Sequence, residues 1–187
     1  MITKIQRFGE YAKVTFRHSF PAEVKHGQVA IINNMRFAIA EDRGDEFDIF
    51  VKKNSSLLTL HQEYTITGPT GDKFYDSSSA QSAIVIAGGT GIGAVCSLIK
   101  ERRERKLPTQ AVFFARGDLK PDEVLGPYAS TGVKVWNTLR LGRPESPLSL
   151  VEEIPHGAQV YVAGPMSLVN STKLVTDTLR LECHTNF

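Results

Sequence analysis

The sequence predicts two joined parts: an antiparallel barrel or sandwich of strands, then an α/β unit built on a parallel sheet. Three observations predict this. Apolar residues alternate over short segments up to about residue 76, with turn residues between them. A polar run, Ser77-Ser78-Ser79-Ala80-Gln81-Ser82, then reads as a linker. Beyond it, short continuous apolar runs alternate with helix-period segments, the mark of a sheet covered on both faces. The division falls at residues 1–78 and 79–187. Composition agrees with a globular chain: 41% hydrophobic, 22% charged and a formal net charge of +2. That balance argues against disorder and against a nucleic-acid or membrane-surface binder.

In the first part, Ile2 to Phe8 and Tyr11 to Phe16 alternate in character around Gly9-Glu10. Gln28 to Ile32, Arg36 to Ala40, Phe47 to Val51 and Tyr64 to Thr67 follow as strands. His26-Gly27, Asn33-Asn34 and Arg43-Gly44-Asp45 separate them, residue types that relieve turn strain. Strands at spacings of about 8–12 residues suit a barrel or sandwich. Ser55 to Leu60 is the one candidate helical turn there.

In the second part, strands are predicted at Ala83–Ala87, Ala111–Ala115, Val133–Thr138 and Gln159–Ala163. Helices are predicted at about Ile92–Lys106 and Ser167–Leu181, with a short turn at Pro121–Leu125 and an irregular Pro147–Ile154. Ile92, Val95, Cys96 and Ile99 keep the i, i+3, i+4, i+7 spacing of a helix face. The charge run Lys100 to Lys106 reads as a solvated helix end.

The junction between the first of these strands and its helix carries the most chemistry. Gly89-Thr90-Gly91-Ile92-Gly93-Ala94 fits G-x-G-x-x-G/A. In that pattern the first glycine makes a tight turn, the second admits a phosphate and the third lets the helix close on the strand. Free N–H groups at the helix start favour a pyrophosphate, so a dinucleotide is expected against Gly88, Gly89, Thr90, Gly91, Ile92 and Gly93. The next strand ends in Arg116, with Lys120 beyond it, where an NAD site usually offers an acid to the ribose diol. Cations there suit a 2′-phosphate, which tilts the choice from NAD to NADP, although Asp118 lies between them and could instead pair with Arg116.

With two further segments, this turn resembles the ferredoxin–NADP reductase superfamily, which joins a flavin-binding barrel to an NAD(P)-binding domain. Gly68-Pro69-Thr70-Gly71 resembles the family's G-P-x-G, Ala87 to Gly93 its A-G-G-T-G-I-x turn, and Tyr161-Val162-Ala163-Gly164-Pro165 its Y-V-C-G-P segment. The resemblance implies an N-terminal antiparallel β-barrel plus a C-terminal α/β parallel-sheet (Rossmann-like) NAD(P)-binding domain. It implies FAD or FMN beside NADP or NAD, and a separate redox acceptor, protein or small molecule. By the same resemblance Arg36, Phe37 and Ala38 stand where the family has R-x-Y-[ST] along the flavin, with the arginine displaced by one position. Ser56 lies in the nearest counterpart of the family's flavin-phosphate segment, which here lacks its glycine. Gly164, Pro165 and Met166 would bring backbone beside the nicotinamide. Ala38 and Ala163 occupy the places of the family's hydroxyl residue near flavin N5 and of its cysteine near the reacting ring, and Ala94 that of a proline. Phe187 is a terminal aromatic that either stacks on the flavin or frays.

Nothing else in the sequence competes as chemistry. The five histidines show no metal spacing, and His61 and His156 are expected on exposed turns. Trp136 is expected as core or cofactor-edge packing. Cys96 and Cys183 read as reduced, half-buried thiols of a cytoplasmic protein, and two thiols do not make the usual iron–sulfur cluster. No apolar run approaches the roughly 20 residues of a membrane span, and no secretory signal is evident. The sequence therefore predicts a flavin-dependent NAD(P)H oxidoreductase or a reductase subunit, its oligomeric state open. The rival reading is a flavin-free, nucleotide-binding regulatory or assembly protein on a degenerate reductase fold, and a weaker third is a flavin store or redox sensor.

Overall fold

The computed structural model describes residues 1–58, 63–72 and 74–185. His61 and Phe187 therefore lie outside the described residues. The first part forms β1 (Ile2–Phe8), β2 (Tyr11–Arg17), β3 (Val29–Ile32), β4 (Met35–Asp42), β5 (Glu46–Lys52) and β6 (Ile66–Thr70). These pair as one six-stranded antiparallel sheet in the order β1-β2-β5-β4-β3-β6. The sheet is barrel-like but open: among the described residues β1 and β6 do not pair. It curls because one core needs covering, with Phe16, Ile32, Phe47, Ile49 and Leu57 buried and Ile2, Ile5 and Ile66 of the two edge strands packed on them. Phe16 and Phe47 stack at 5.6 Å. The β3–β4 hairpin closes through Asn33 and Asn34, both at positive φ (48° and 66°), as a tight two-residue turn requires.

The second part forms β7 (Ala83–Gly88), β8 (Thr109–Ala115), β9 (Val133–Asn137), β10 (Gln159–Ala163) and β11 (Glu182–Thr185), with α1 (Ile92–Glu104), α2 (Pro121–Leu125), α3 (Thr138–Leu141) and α4 (Met166–Leu179). All five strands run parallel in the order β11-β10-β7-β8-β9. The strand β11 and the short helix α3 are additions to the predicted elements. β11 escapes the apolar-run criterion because it is a half-exposed edge strand, Glu-Cys-His-Thr, that pairs with β10 on one side only. α4 ends at Arg180, whose φ of 55° turns the chain back into that strand.

α1 lies between the two sheets. Its buried Ile92, Val95, Cys96 and Ile99 join the core of the parallel sheet, as their spacing predicts. A second stripe, Gly93, Ser97 and Lys100, meets the six-stranded sheet. A Cβ at Gly93 would lie 3.2 Å from the Phe50 ring and 3.6 Å from Ala40. Lys100 Nζ donates to Glu41 at 2.7 Å, and the ring of His26 lies between Ser97 and Glu101, bonded to both.

The expected solvated end of α1 is corrected at Arg102, which is 0% exposed. Its guanidinium donates to Thr109 Oγ1 and to the carbonyls of Gln81 and Pro108, and lies over the Tyr75 ring. Trp136 is half-buried against the α4-side core and donates Nε1–H to the Gly142 carbonyl at 2.8 Å. His156 is exposed, as expected.

Candidate functional site: a cleft between the two sheets

Parallel strands present their carboxyl ends to one edge, where crossover turns leave backbone groups free. Here β7, β8 and β10 end together, with Ala87 in register with Phe113 on one side and Ala163 on the other. In front of that edge stands a cleft of about 1220 Å³. Met35, Arg36, Phe37, Ala38, Lys52 and Ser56 line it from the six-stranded side. Gly88, Gly89, Thr90, Gly91, Gly164 and Pro165 line it from the other. A single small-ligand pocket holds roughly 300–1,000 Å³, so this cleft has room for more than one ring system.

Gly89 takes the tight-turn role expected of it, and Gly91 and Gly93 meet neighbours that the sequence pattern does not name. Gly89 makes the tight turn at φ 59°, and a Cβ there would meet nothing within 4 Å. The open space beside it is the cleft, which suits a phosphate. Gly91 lines the cleft and is also small for a neighbouring turn: a Cβ would lie 2.5 Å from both Gly164 N and Ala163 C. Gly164, at φ 150°, returns the contact, since its Cβ would lie 2.8 Å from the Gly88 carbonyl oxygen. The two turns are thus seated on each other. Gly93, expected to seat α1 on its own strand, admits Phe50 of the other sheet.

Several expected residues stand elsewhere. Ala163 is fully buried and does not line the cleft; its backbone packs against Gly91. Ile92 is buried in the core beside Gly93, and Met166, 56% exposed, opens α4 outside the cleft wall. Arg116 is exposed, and its backbone N–H donates to the Tyr11 hydroxyl at 2.9 Å. Burial raises the Tyr11 pKa, and the bond from Arg116 opposes that rise. No Arg116–Asp118 pair forms among the described residues; Asp118 accepts from Asn137 Nδ2 at 3.0 Å. Lys120 is exposed and lies 3.5 Å from Glu123. Neither cation lines the cleft.

The cleft also includes residues that periodicity did not reveal: Lys52 at the end of β5, Asn54 after it, and Cys183, His184 and Thr185 of β11. His184 stacks on Tyr161 with ring centroids 4.9 Å apart and planes at 15°. Its Nε2 is buried and makes no hydrogen bond, although Glu182 Oε1 lies 3.2 Å away. The thiols are poor nucleophiles: burial pushes Cys96 up to about 12 and also raises Cys183. Cys96 is fully buried, beyond the half-burial expected. Among the described residues no group of His, Cys, Asp and Glu could hold a metal, and no helix is long and apolar enough to cross a membrane.

A curled antiparallel sheet, a parallel sheet and a glycine turn facing the cleft between them define the fold of the ferredoxin–NADP reductase superfamily, and the chain has that fold. No known family profile matches it. Among solved structures, the ferredoxin reductase in carbazole 1,9a-dioxygenase (FAD apo form) superposes over 98% of this chain and 65% of its own, with a TM-score of 0.76 and 16% identity. The flavohem-like FAD/NAD-binding domain of nitric oxide dioxygenase from Vibrio cholerae O1 biovar El Tor covers 98% of this chain and 95% of its own, at a TM-score of 0.72 and 14% identity. An intact type IV self-sufficient cytochrome P450 monooxygenase contains the same fold over 27% of its length, at a TM-score of 0.78 and 17% identity. Among curated proteins, NADH-cytochrome b5 reductase 1 of Cryptococcus neoformans var. neoformans serotype D (strain JEC21 / ATCC MYA-565) is 28% identical over 115 residues. That match spans 57% of this chain and 38% of the relative.

Proposed function

We propose that the chain is an NAD(P)H-dependent flavin reductase that binds FAD and passes electrons to a separate redox acceptor. The observation that carries this reading is the shared cleft: a phosphate-sized opening beside Gly89 on one wall faces the strand Arg36-Phe37-Ala38 on the other. The walls fit the two groups. Gly89 and Thr90 offer backbone at the start of α1, and exposed Arg36 and Lys52 offer cations to a flavin's phosphates. Phe37 supplies an aromatic surface and Ala38 leaves room beside it. A bound flavin would supply the exchange between hydride and single-electron chemistry, which no side chain here can provide.

The protein's own contribution is positional. The seating of Gly91 on Gly164 fixes the distance between the nucleotide turn and the turn after β10. α1 then fixes both against the six-stranded sheet through Gly93, Lys100 and His26. With alanine at positions 38 and 163, no hydroxyl or thiol at those places assists transfer, which slows chemistry more than binding. The proposed functional units are 1–78 and 79–187, meeting at this cleft.

The fold's relatives include an NADH reductase and FAD/NAD-binding domains, which support both cofactors in general. Titrating the apoprotein with FAD is expected to quench flavin fluorescence at one equivalent. A flat titration would favour the flavin-free, nucleotide-binding reading. Arg116→Ala tests the choice of nucleotide. Arg116 and Lys120 are the exposed cations beyond β8, so the variant is expected to lose preference for NADPH over NADH by about tenfold, the size of one charge-assisted contact. An unchanged ratio of the two kcat/KM values would remove Arg116 from the site.

A further inference from the structure

We propose that His184 is the proton-handling side chain of the cleft. The inference rests on the redox reading above. A hydride carries two electrons and one proton. When the electrons of NAD(P)H go to two one-electron acceptors, NAD(P)⁺ forms, each acceptor is reduced once, and one proton is left over. That proton must leave the cleft.

Few groups in the wall can take it. Ala38 has no titratable group, and Ala163 has none and is buried. Arg36 and Lys52 are donors without an acceptor atom, and burial raises the Cys183 thiol pKa. Asp72 lies at the barrel exit and is exposed. Among the described lining residues, His184 is the one histidine, the side chain that ordinarily changes charge between pH 5 and 8.

Its setting is built. β11 places it in register with Tyr161 of β10, and the two rings stack at 4.9 Å. Tyr161 is itself held by edge contacts with Phe74 at 5.8 Å and Tyr75 at 5.5 Å, with Arg102 over the Tyr75 ring. The ring of His184 is therefore fixed in orientation. Its Nε2 is buried without a hydrogen bond, and a buried polar atom left in that state normally acquires a partner, either a ligand or a water.

The charged and titratable groups around it are few. Glu182 Oε1 is 3.2 Å from Nε2. Burial pushes the Tyr161 hydroxyl up to about 12, so that ring stays neutral. Asp177 and Lys173 of α4 lie near Cys183 and are opposite in sign. Arg102 acts on Tyr161 and lies over the Tyr75 ring. Glu182 lies 3.2 Å from Nε2 without a hydrogen bond and its side chain is 61% exposed, so a rotation of either side chain is needed before it can take the proton outward.

The test uses the full chain loaded with FAD. The imidazole Cε1–H resonance of His184, assigned from its loss in His184→Phe, is titrated with the protein oxidised and then reduced by dithionite. The midpoint is expected to rise on reduction, because added negative charge nearby favours imidazolium. In His184→Phe, which keeps the stack on Tyr161, ferricyanide reduction by NADH is expected to slow on the order of a hundredfold and to lose its ionisation near neutral pH. FAD affinity should stay within about twofold, and His184→Gln should not restore the rate, since an amide hydrogen-bonds without titrating. An unmoved midpoint, or a phenylalanine variant with the wild-type rate and pH profile, would overturn the proposal. If FAD binds and NADH bleaches it while the midpoint stays fixed, His184 alone is excluded. If FAD does not bind, the redox reading fails and takes this proposal with it.

Discussion

Gly89 and Gly91 sit two positions apart in the same turn, yet their tolerance for a side chain should differ sharply. At Gly91 a methyl group meets the backbone of Ala163 and Gly164, which cannot move without displacing the end of β10. At Gly89 the same methyl meets open space and the cost is only that of a positive φ. We predict that Gly91→Ala lowers stability by about 1–3 kcal/mol and weakens nucleotide binding through the displaced turn. Gly89→Ala should lose about 1–2 kcal/mol from strain and leave the Gly164 turn in place. Urea unfolding of both variants, beside NADH titration, checks the contrast; equal losses of binding without loss of stability would place Gly91 at the phosphate instead. The sequence could announce that these glycines matter. It could not say which neighbour each one serves, because the partner turn lies over 70 residues away in the chain and no local pattern encodes that approach.

At the scale of elements, β5 depends on a charge. Asp48 is 2% exposed and accepts from Thr15 Oγ1 at 2.7 Å and from both Arg43 Nη atoms at 3.0 and 2.9 Å. Burial acts to raise its pKa, but the Arg43 and Thr15 hydrogen bonds, with the charges of Arg43 and Lys13, outweigh burial and hold it below the ordinary 3.8. A lowered native pKa means that the stabilisation is complete above the unfolded value and vanishes as pH falls through the native one. Asp48→Asn is therefore expected to cost about 1–2 kcal/mol at pH 7, a figure reduced because Arg43 is half in solvent. The difference between wild type and variant should shrink as the pH drops below about 4. Urea midpoints measured from pH 7 to pH 3 check this, and a gap that stays constant would contradict it. Elements with strong apolar periods were legible in advance: β7 and β8 are continuous apolar runs, and the sheet-facing stripe of α1 follows from Ile92, Val95, Cys96 and Ile99. Arg102 was misread because its charge hid its position. It continues that stripe three residues beyond Ile99, so geometry buries it whatever its chemistry. β11 was illegible for the opposite reason, since an edge strand with polar residues has no apolar run to display.

For the whole molecule, the decisive feature is that the two sheets leave a cleft open between them while α1 ties them together. Composition could show two parts and the glycine turn could suggest a nucleotide. Neither could show that strand Met35–Asp42 and the turn Gly88–Gly91 face the same space, which depends on how α1 is seated. The stripe Gly93, Ser97 and Lys100 carries that information, at i, i+4 and i+7, but reads as ordinary helix surface until its partners Phe50, His26 and Glu41 are known. The measurement that tests the account most directly is an anaerobic titration of the FAD-loaded protein with NADH and NADPH, followed by flavin absorbance. The account predicts bleaching at one equivalent of at least one nucleotide, reversed by ferricyanide. A protein that holds FAD but keeps its colour under excess of both nucleotides would contradict it.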